Sequence, residues 1–247
     1  MPLDSLTNVR RPRVPRGARA LRDGGKCPRE GRNASTDAFI AAEEPSELGW
    51  CAMAATSTTA EPAREPCGRG VILRSLRAAA REMWGDEGLR IIAANLADEV
   101  RAATLDHRVT RGDWLPERYV VAWHEAVWTG PAKKDDRTFR TFMDRTMDIG
   151  WGRIRRLFLR FLTPIDLFAK AEELWKDDHT HGELRFGVNR TTLIGTLHDH
   201  PYATSEISRR AIAEVFRYAL TMTRATNVRE HHSLHGTRDL LVQITWE

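Results

Sequence analysis

The sequence predicts an α+β fold: an N-terminal helical subdomain, then a ββαββ unit whose four strands form one antiparallel sheet. Three observations predict it. Apolar residues between Gly70 and Trp175 recur at the three-and-four spacing of helices. After Gly182 the period drops to two. Helix-like stretches also come first and strand-like ones later, a segregation that favours an antiparallel sheet over a parallel one.

Residues 1–69 are expected to be a tail outside this fold. They carry Pro2, Pro12, Pro15, Pro28, Pro45, Pro62 and Pro66, and their apolar residues have no period. Such a segment buries too little surface to offset its ordering entropy. Met53 is an alternative start, in which case residues 1–52 are not translated. Residues 70–247 are expected to form a single domain, with a helical part over 70–178 and a sheet part over 182–247.

The elements follow in order. Val71, Ile72, Leu76, Ala79, Ala80 and Met83 share a helical face that Trp84-Gly85-Asp86 ends. Leu89, Ile92, Ala93, Leu96 and Val100 make a second helix. Pro116 suits the first turn of a third, with Tyr119, Val120, Trp123 and Val127 on one face. Phe139, Phe142, Met143 and Met147 make a fourth, and Gly150 and Gly152 break the pattern around Trp151. Ile154, Leu157, Phe158 and Phe161 make a fifth. Thr163-Pro164-Ile165-Asp166 is a helix start: threonine caps, proline fits the first position and aspartate meets the positive end of the dipole. Leu167, Phe168, Ala171, Leu174 and Trp175 continue that sixth helix. Leu184, Phe186 and Val188 then alternate with polar residues, Asn189-Arg190 turns, and Leu193 to Leu197 returns. A helix capped by Thr204 or Ser205 runs from Ile207 to Met222. A last hairpin turns at His235-Gly236 and returns through Leu240, Val242, Ile244 and Trp246.

Composition excludes several classes. The chain has 247 residues and a net charge of +4. Residues 1–32 hold nine basic residues against three acidic ones, so the remainder is slightly acidic. The core therefore has no nucleic-acid signature. No apolar run reaches the roughly 18–20 residues that span a bilayer. Cys27, Cys51 and Cys67 all precede Gly70. That leaves no thiol to staple or metallate the domain and fits a reducing, cytoplasmic compartment. Glycine-rich phosphate loops, G-x-S-x-G and H-E-x-x-H are missing.

Two features hint at chemistry. His179-Thr180-His181 and His198-Asp199-His200 are His-x-His pairs, and on a strand residues two apart share a face. His179, His181, His198 and His200 are therefore candidate metal ligands, with Asp177, Asp178, Glu183 or Asp199 to complete the shell. His231, His232 and His235 add a third histidine cluster. The second feature is aromatic weight in the helical half, where large rings can line an apolar pocket. Tyr119, Trp123, Trp151, Phe158 and Trp175 are the candidate pocket residues.

The stretch Gly70-Val71-Ile72-Leu73 through Met83-Trp84-Gly85-Asp86-Glu87, with the terminal helix, strand, strand, helix, hairpin order, resembles the heme NO/oxygen-binding (H-NOX) domains. The order is also similar to that of 4-vinyl-reductase-type small-molecule-binding domains and TRAPP trafficking subunits. Gly150, Thr163-Pro164, Leu174-Trp175, His181-Gly182 and Ile244-Thr245-Trp246 resemble a myxobacterial paralogous family of uncharacterised function. The H-NOX resemblance implies a heme-ligating histidine on the helix before the sheet, and Trp175 stands near that place. The Tyr-x-Ser-x-Arg propionate clamp is absent near Leu197–Tyr202. Indole does not ligate iron, so no heme is expected.

The leading expectation is a non-catalytic small-molecule-binding or sensor module with an apolar pocket. Its partners would be a small apolar ligand and a signalling protein or a second copy. The alternative is a scaffold or dimerisation protein with a filled core. The third reading is a metal-dependent enzyme that uses the His-x-His pairs.

Overall fold

The structure is a computed structural model that describes residues 65–247; the side chains of residues 153–156 and 158 also lie outside the described set. The tail reading of residues 1–64 falls outside it as well. The order is β1 (Cys67–Arg69), α1 (Gly70–Ala94), α2 (Asp98–Arg101), β2 (Trp114–Pro116), α3 (Glu117–Thr129), α4 (Asp136–Leu159) and α5 (Pro164–Asp178), then β3 (Glu183–Asn189), β4 (Thr192–His198), α6 (Glu206–Thr221), β5 (Arg229–His235) and β6 (Asp239–Thr245). The α+β architecture is as expected, with a four-stranded sheet ordered β3-β4-β6-β5 and every pair antiparallel.

Three departures are informative. Gly85 takes φ 64° and ψ −160° inside α1, and Gly152 takes φ 65° and ψ 173° inside α4. The expected breaks are therefore kinks within continuing helices, at values that only glycine adopts without strain. The second expected helix ends early: α1 stops at Ala94, and Val100 belongs to the short α2, which runs on as a π-helical turn over Ala102–Asp106. Third, Cys67–Arg69 pairs antiparallel with Trp114–Pro116, matching Gly68 with Leu115. Secondary structure thus begins ahead of the expected start at residue 70, and Pro116 closes a strand instead of opening α3.

Two hydrophobic clusters meet along α6. One gathers Leu76, Ile92, Trp123, Phe139 and Phe142 between α1, α3 and α4, with Ile207 and Ala211 from α6. The other packs Leu167 and Phe168 of α5, and Ala213, Phe216 and Leu220 of α6, onto Leu184, Leu193, Leu197, Leu240 and Ile244 of the sheet. On β4, Leu193, Gly195 and Leu197 face inward and Ile194 outward, the alternation that fixes register. Buried Arg217 of α6 pairs with Glu214 and with Asp144 of α4, which ties the helical layer to α6. The α5 start carries the expected cap as a full capping box between Thr163 and Asp166.

Truncation of Leu193 to alanine, at the centre of this packing, is expected to destabilise the domain by about 2–5 kcal/mol. Thr163→Ala, which removes only the cap, is expected to cost about 1 kcal/mol. Urea unfolding monitored by circular dichroism orders the two.

A candidate polar centre at the end of an apolar cavity

Between the two clusters lies a cavity of about 160 Å³. Leu76, Met143 and Met147 wall it from the helical side, Leu167, Phe168 and Trp175 from α5, and Val215 and Phe216 from α6. The α3 residues that face it are Glu117, Val120 and His124, which lie three and four apart on one stripe. Of the expected pocket residues, Trp151 and Trp175 line the cavity. Tyr119 and Trp123 sit one notch around α3. The Trp123 indole donates to Thr104 Oγ1 at 2.8 Å, and the Tyr119 hydroxyl donates to Glu99 at 2.6 Å. The side chain of Phe158 lies outside the described residues.

One end of the cavity is polar. Among the described residues, Glu117, His179 and His181 form a group in which one donor atom of each lies within 4.8 Å of the others. Glu117 Oε2 is 3.5 Å from His179 Nδ1. The imidazole of His181 lies beside that of His200, with Nε2 and Nδ1 3.1 Å apart, and His200 Nε2 is 3.3 Å from Ser208 Oγ. Three of the four histidines expected as ligands therefore converge. His198 does not: it faces Asp239 Oδ2 at 3.0 Å, because Asp199 turns the chain with φ 51° and ends the two-residue alternation. The carboxylate comes from Glu117 and not from Asp177, Asp178, Glu183 or Asp199. His231, His232 and His235 stay on β5, at the edge of the sheet.

Local sequence explains the placement. His179 is the first residue beyond α5 and forms an isolated bridge with Gly68. Thr180 donates its amide to the Cys67 carbonyl at 2.9 Å, and Cys67 donates back to Thr180 Oγ1 at 2.8 Å. Trp175 sets both histidines. Its ring stacks on His179 at 3.8 Å, and its Nε1–H donates to the His181 carbonyl at 2.8 Å. A Cβ on Gly68 would stand 2.6 Å from Glu117 Oε2, so glycine leaves the carboxylate its space.

Burial governs the electrostatics. It pushes the His124 and His181 imidazoles down to about 4 and that of His200 down to about 3, against the upward pull of Glu117. Burial pushes the Glu117 carboxyl up, but the neighbouring histidines, His179 first, pull harder and hold it below its usual value. Its place in the first turn of α3 also sets the positive end of the helix dipole beside it.

No protein-family profile matches the chain, and no curated protein matches it in sequence. Solved structures do match in fold. An Fe(II) unliganded H-NOX protein from K. algicida superposes with a TM-score of 0.54 at 11% identity, over 72% of this chain and 96% of that one. A Cs H-NOX variant gives 0.51 at 10% identity over 72% and 96%. A T. tengcongensis H-NOX variant gives 0.50 at 10% identity over 72% and 97%. The chain has an H-NOX-like fold, and at these identities the likeness extends to the fold alone.

His124 titrates near 6.5 when unfolded and near 4 when folded, so between those values the unfolded chain binds the extra proton. Stability is therefore expected to fall as pH drops from about 6.5 to about 4, with His124 contributing on the order of 3 kcal/mol. Denaturant unfolding across that range checks this, and His124→Gln should lessen the slope, leaving the part that His181 and His200 contribute.

Proposed function

We propose that the protein is a non-catalytic module that binds one small, largely apolar molecule in the cavity between its helical layer and its sheet. The cavity carries this reading. At about 160 Å³ it is comparable to the roughly 150 Å³ engineered apolar cavity that takes up benzene. The ligand class is therefore a molecule of about one ring. An adjoining space of about 310 Å³ shares Ile72, Thr146, Met147, Trp151 and Asp178 with the cavity and adds Arg69 and Arg111. Those guanidiniums would favour a ligand with an acidic group at its outer end.

We propose further that the protein binds no H-NOX-type heme, with His179, just beyond α5, as the imidazole that could substitute for the missing ligand. Helix α5, where the resemblance would place the iron ligand, reads Pro-Ile-Asp-Leu-Phe-Ala-Lys-Ala-Glu-Glu-Leu-Trp-Lys-Asp-Asp and holds no histidine, cysteine, methionine or tyrosine. The sequence resemblance to 4-vinyl-reductase-type small-molecule-binding domains supports a ligand other than heme.

No helix among the described residues is long and apolar enough to cross a membrane. Phe161, Ile165 and Leu157 are 72%, 62% and 55% exposed around the α4–α5 corner, and they would form the face offered to a signalling partner or a second copy.

Benzene and phenylacetate, as one-ring probes without and with an acidic group, are expected to raise the melting temperature with concentration as ligands of the native state do. Ala171→Leu, which fills the cavity, should remove the shift. A flat response of the folded wild-type chain to both probes contradicts the reading.

A further inference from the structure

We infer that Glu117, His179 and His181 form a binding site for one divalent transition-metal ion of the zinc class, with an open coordination position towards the cavity. The inference goes beyond the cavity reading and does not depend on it.

The first support is an imbalance of hydrogen bonding. Glu117 is 4% exposed; its Oε2 and His179 Nδ1 are buried 3.5 Å apart, a loose ion-pair contact short of a well-formed hydrogen bond, and His181 Nδ1 is buried beside them without one. Orphaned buried polar atoms cost about 1–3 kcal/mol each and are few in native structures. Here three belong to three neighbouring side chains. A cation between them would give all three a partner.

The second support is spacing. Donors about 2.0–2.1 Å from a tetrahedral ion stand roughly 3.4 Å from one another. Glu117 Oε2 and His179 Nδ1 are 3.5 Å apart, and the three-donor group closes within 4.8 Å.

The third support is the surrounding shell. His181 Nε2 lies 3.1 Å from His200 Nδ1, and His200 Nε2 lies 3.3 Å from Ser208 Oγ; a metal on His181 Nδ1 would select the tautomer in which Nε2–H donates to His200 and His200 Nε2–H to Ser208. In that tautomer His181 Nδ1, which is buried without a hydrogen-bond partner, carries the free lone pair. Histidines that ligate metals commonly donate their other nitrogen to a fixed acceptor in this way. Trp175 restrains His179 by stacking and His181 through its carbonyl. His200 and Trp175 are positioning residues.

Two imidazoles and one carboxylate suit zinc better than calcium or magnesium, which prefer shells of oxygen. Three protein donors leave a fourth position open, and Glu117 and His179 both line the cavity. A polar atom of a bound molecule would complete the shell. The competing account is a bare Glu117–His179 ion pair, which leaves His181 Nδ1 unpartnered and predicts no metal affinity.

The test uses the full chain, stripped by a chelator and titrated with Co²⁺ alone. The expected result is one equivalent bound, with the visible d–d bands of low-coordinate cobalt in a nitrogen and oxygen shell, displaced by Zn²⁺. Glu117→Gln and His181→Asn should each weaken binding by about a hundredfold or more, and His200→Gln by about tenfold. His198→Asn, outside the cluster, should leave binding unchanged. Circular dichroism reports whether each variant folds, and His179→Gln stands in for one that does not. Absence of the bands in folded wild-type protein overturns the site. So do bands that survive in folded Glu117→Gln and His181→Asn, and so does intense thiolate charge-transfer absorption, which would place the ion on cysteine. Failure of the one-ring probes to bind leaves the cobalt result standing, so the two readings fail separately.

Discussion

Paired hydrogen bonding between Cys67 and Thr180 joins the start of the helical part to the loop where the sheet part begins, and the geometry of the polar centre depends on it. Thr180 donates to the Cys67 carbonyl, Cys67 donates to Thr180 Oγ1, and Gly68 bridges His179. The loop after α5 is thereby fastened to β1. β1 is in turn fastened to β2, and the Glu117 amide donates to the Pro66 carbonyl at 2.8 Å. A three-residue strand thus sets the distance between a carboxylate on α3 and imidazoles beyond α5. Without that strap, loop entropy would disperse the donors and solvent would separate them.

The cavity follows from the division of the interior. α6 contributes Ile207 and Ala211 to one cluster and Ala213, Phe216 and Leu220 to the other. Small side chains at Ala171, Ala211 and Ala219 line the space where the clusters meet. Trp175 sits at the boundary, lining the cavity and stacking on His179. Cavity and polar centre therefore share a wall, and a molecule held in one would lie against the other.

Much of the fold was legible in the sequence because the signals were local. Alternation through Leu184, Phe186 and Val188, the Thr163-Pro164 start and the terminal hairpin each declare themselves within a few residues. The three-residue pairing of β1 with β2 was not legible, since strands so short carry too little period to register. At the site, the His179 and His181 pair was visible as a motif. Glu117 was not. A glutamate after a proline at a helix start reads as a solvated first turn, and only the tertiary packing of Gly68 against it reveals burial. The stripe on α3 was read one position off, because Tyr119 and Trp123 are the larger residues while Val120 and His124 face the cavity. Side-chain size marks burial, but it does not say which of two cores a side chain enters.

Amide hydrogen exchange at Cys67 and Thr180 tests the strap most directly. With β1 holding the loop, both amides should exchange as slowly as the central β4 amides, near the limit set by global unfolding. Exchange of either at the rate of an open loop, while β4 stays protected, would contradict the account: the imidazoles and Glu117 would then not be held in one place.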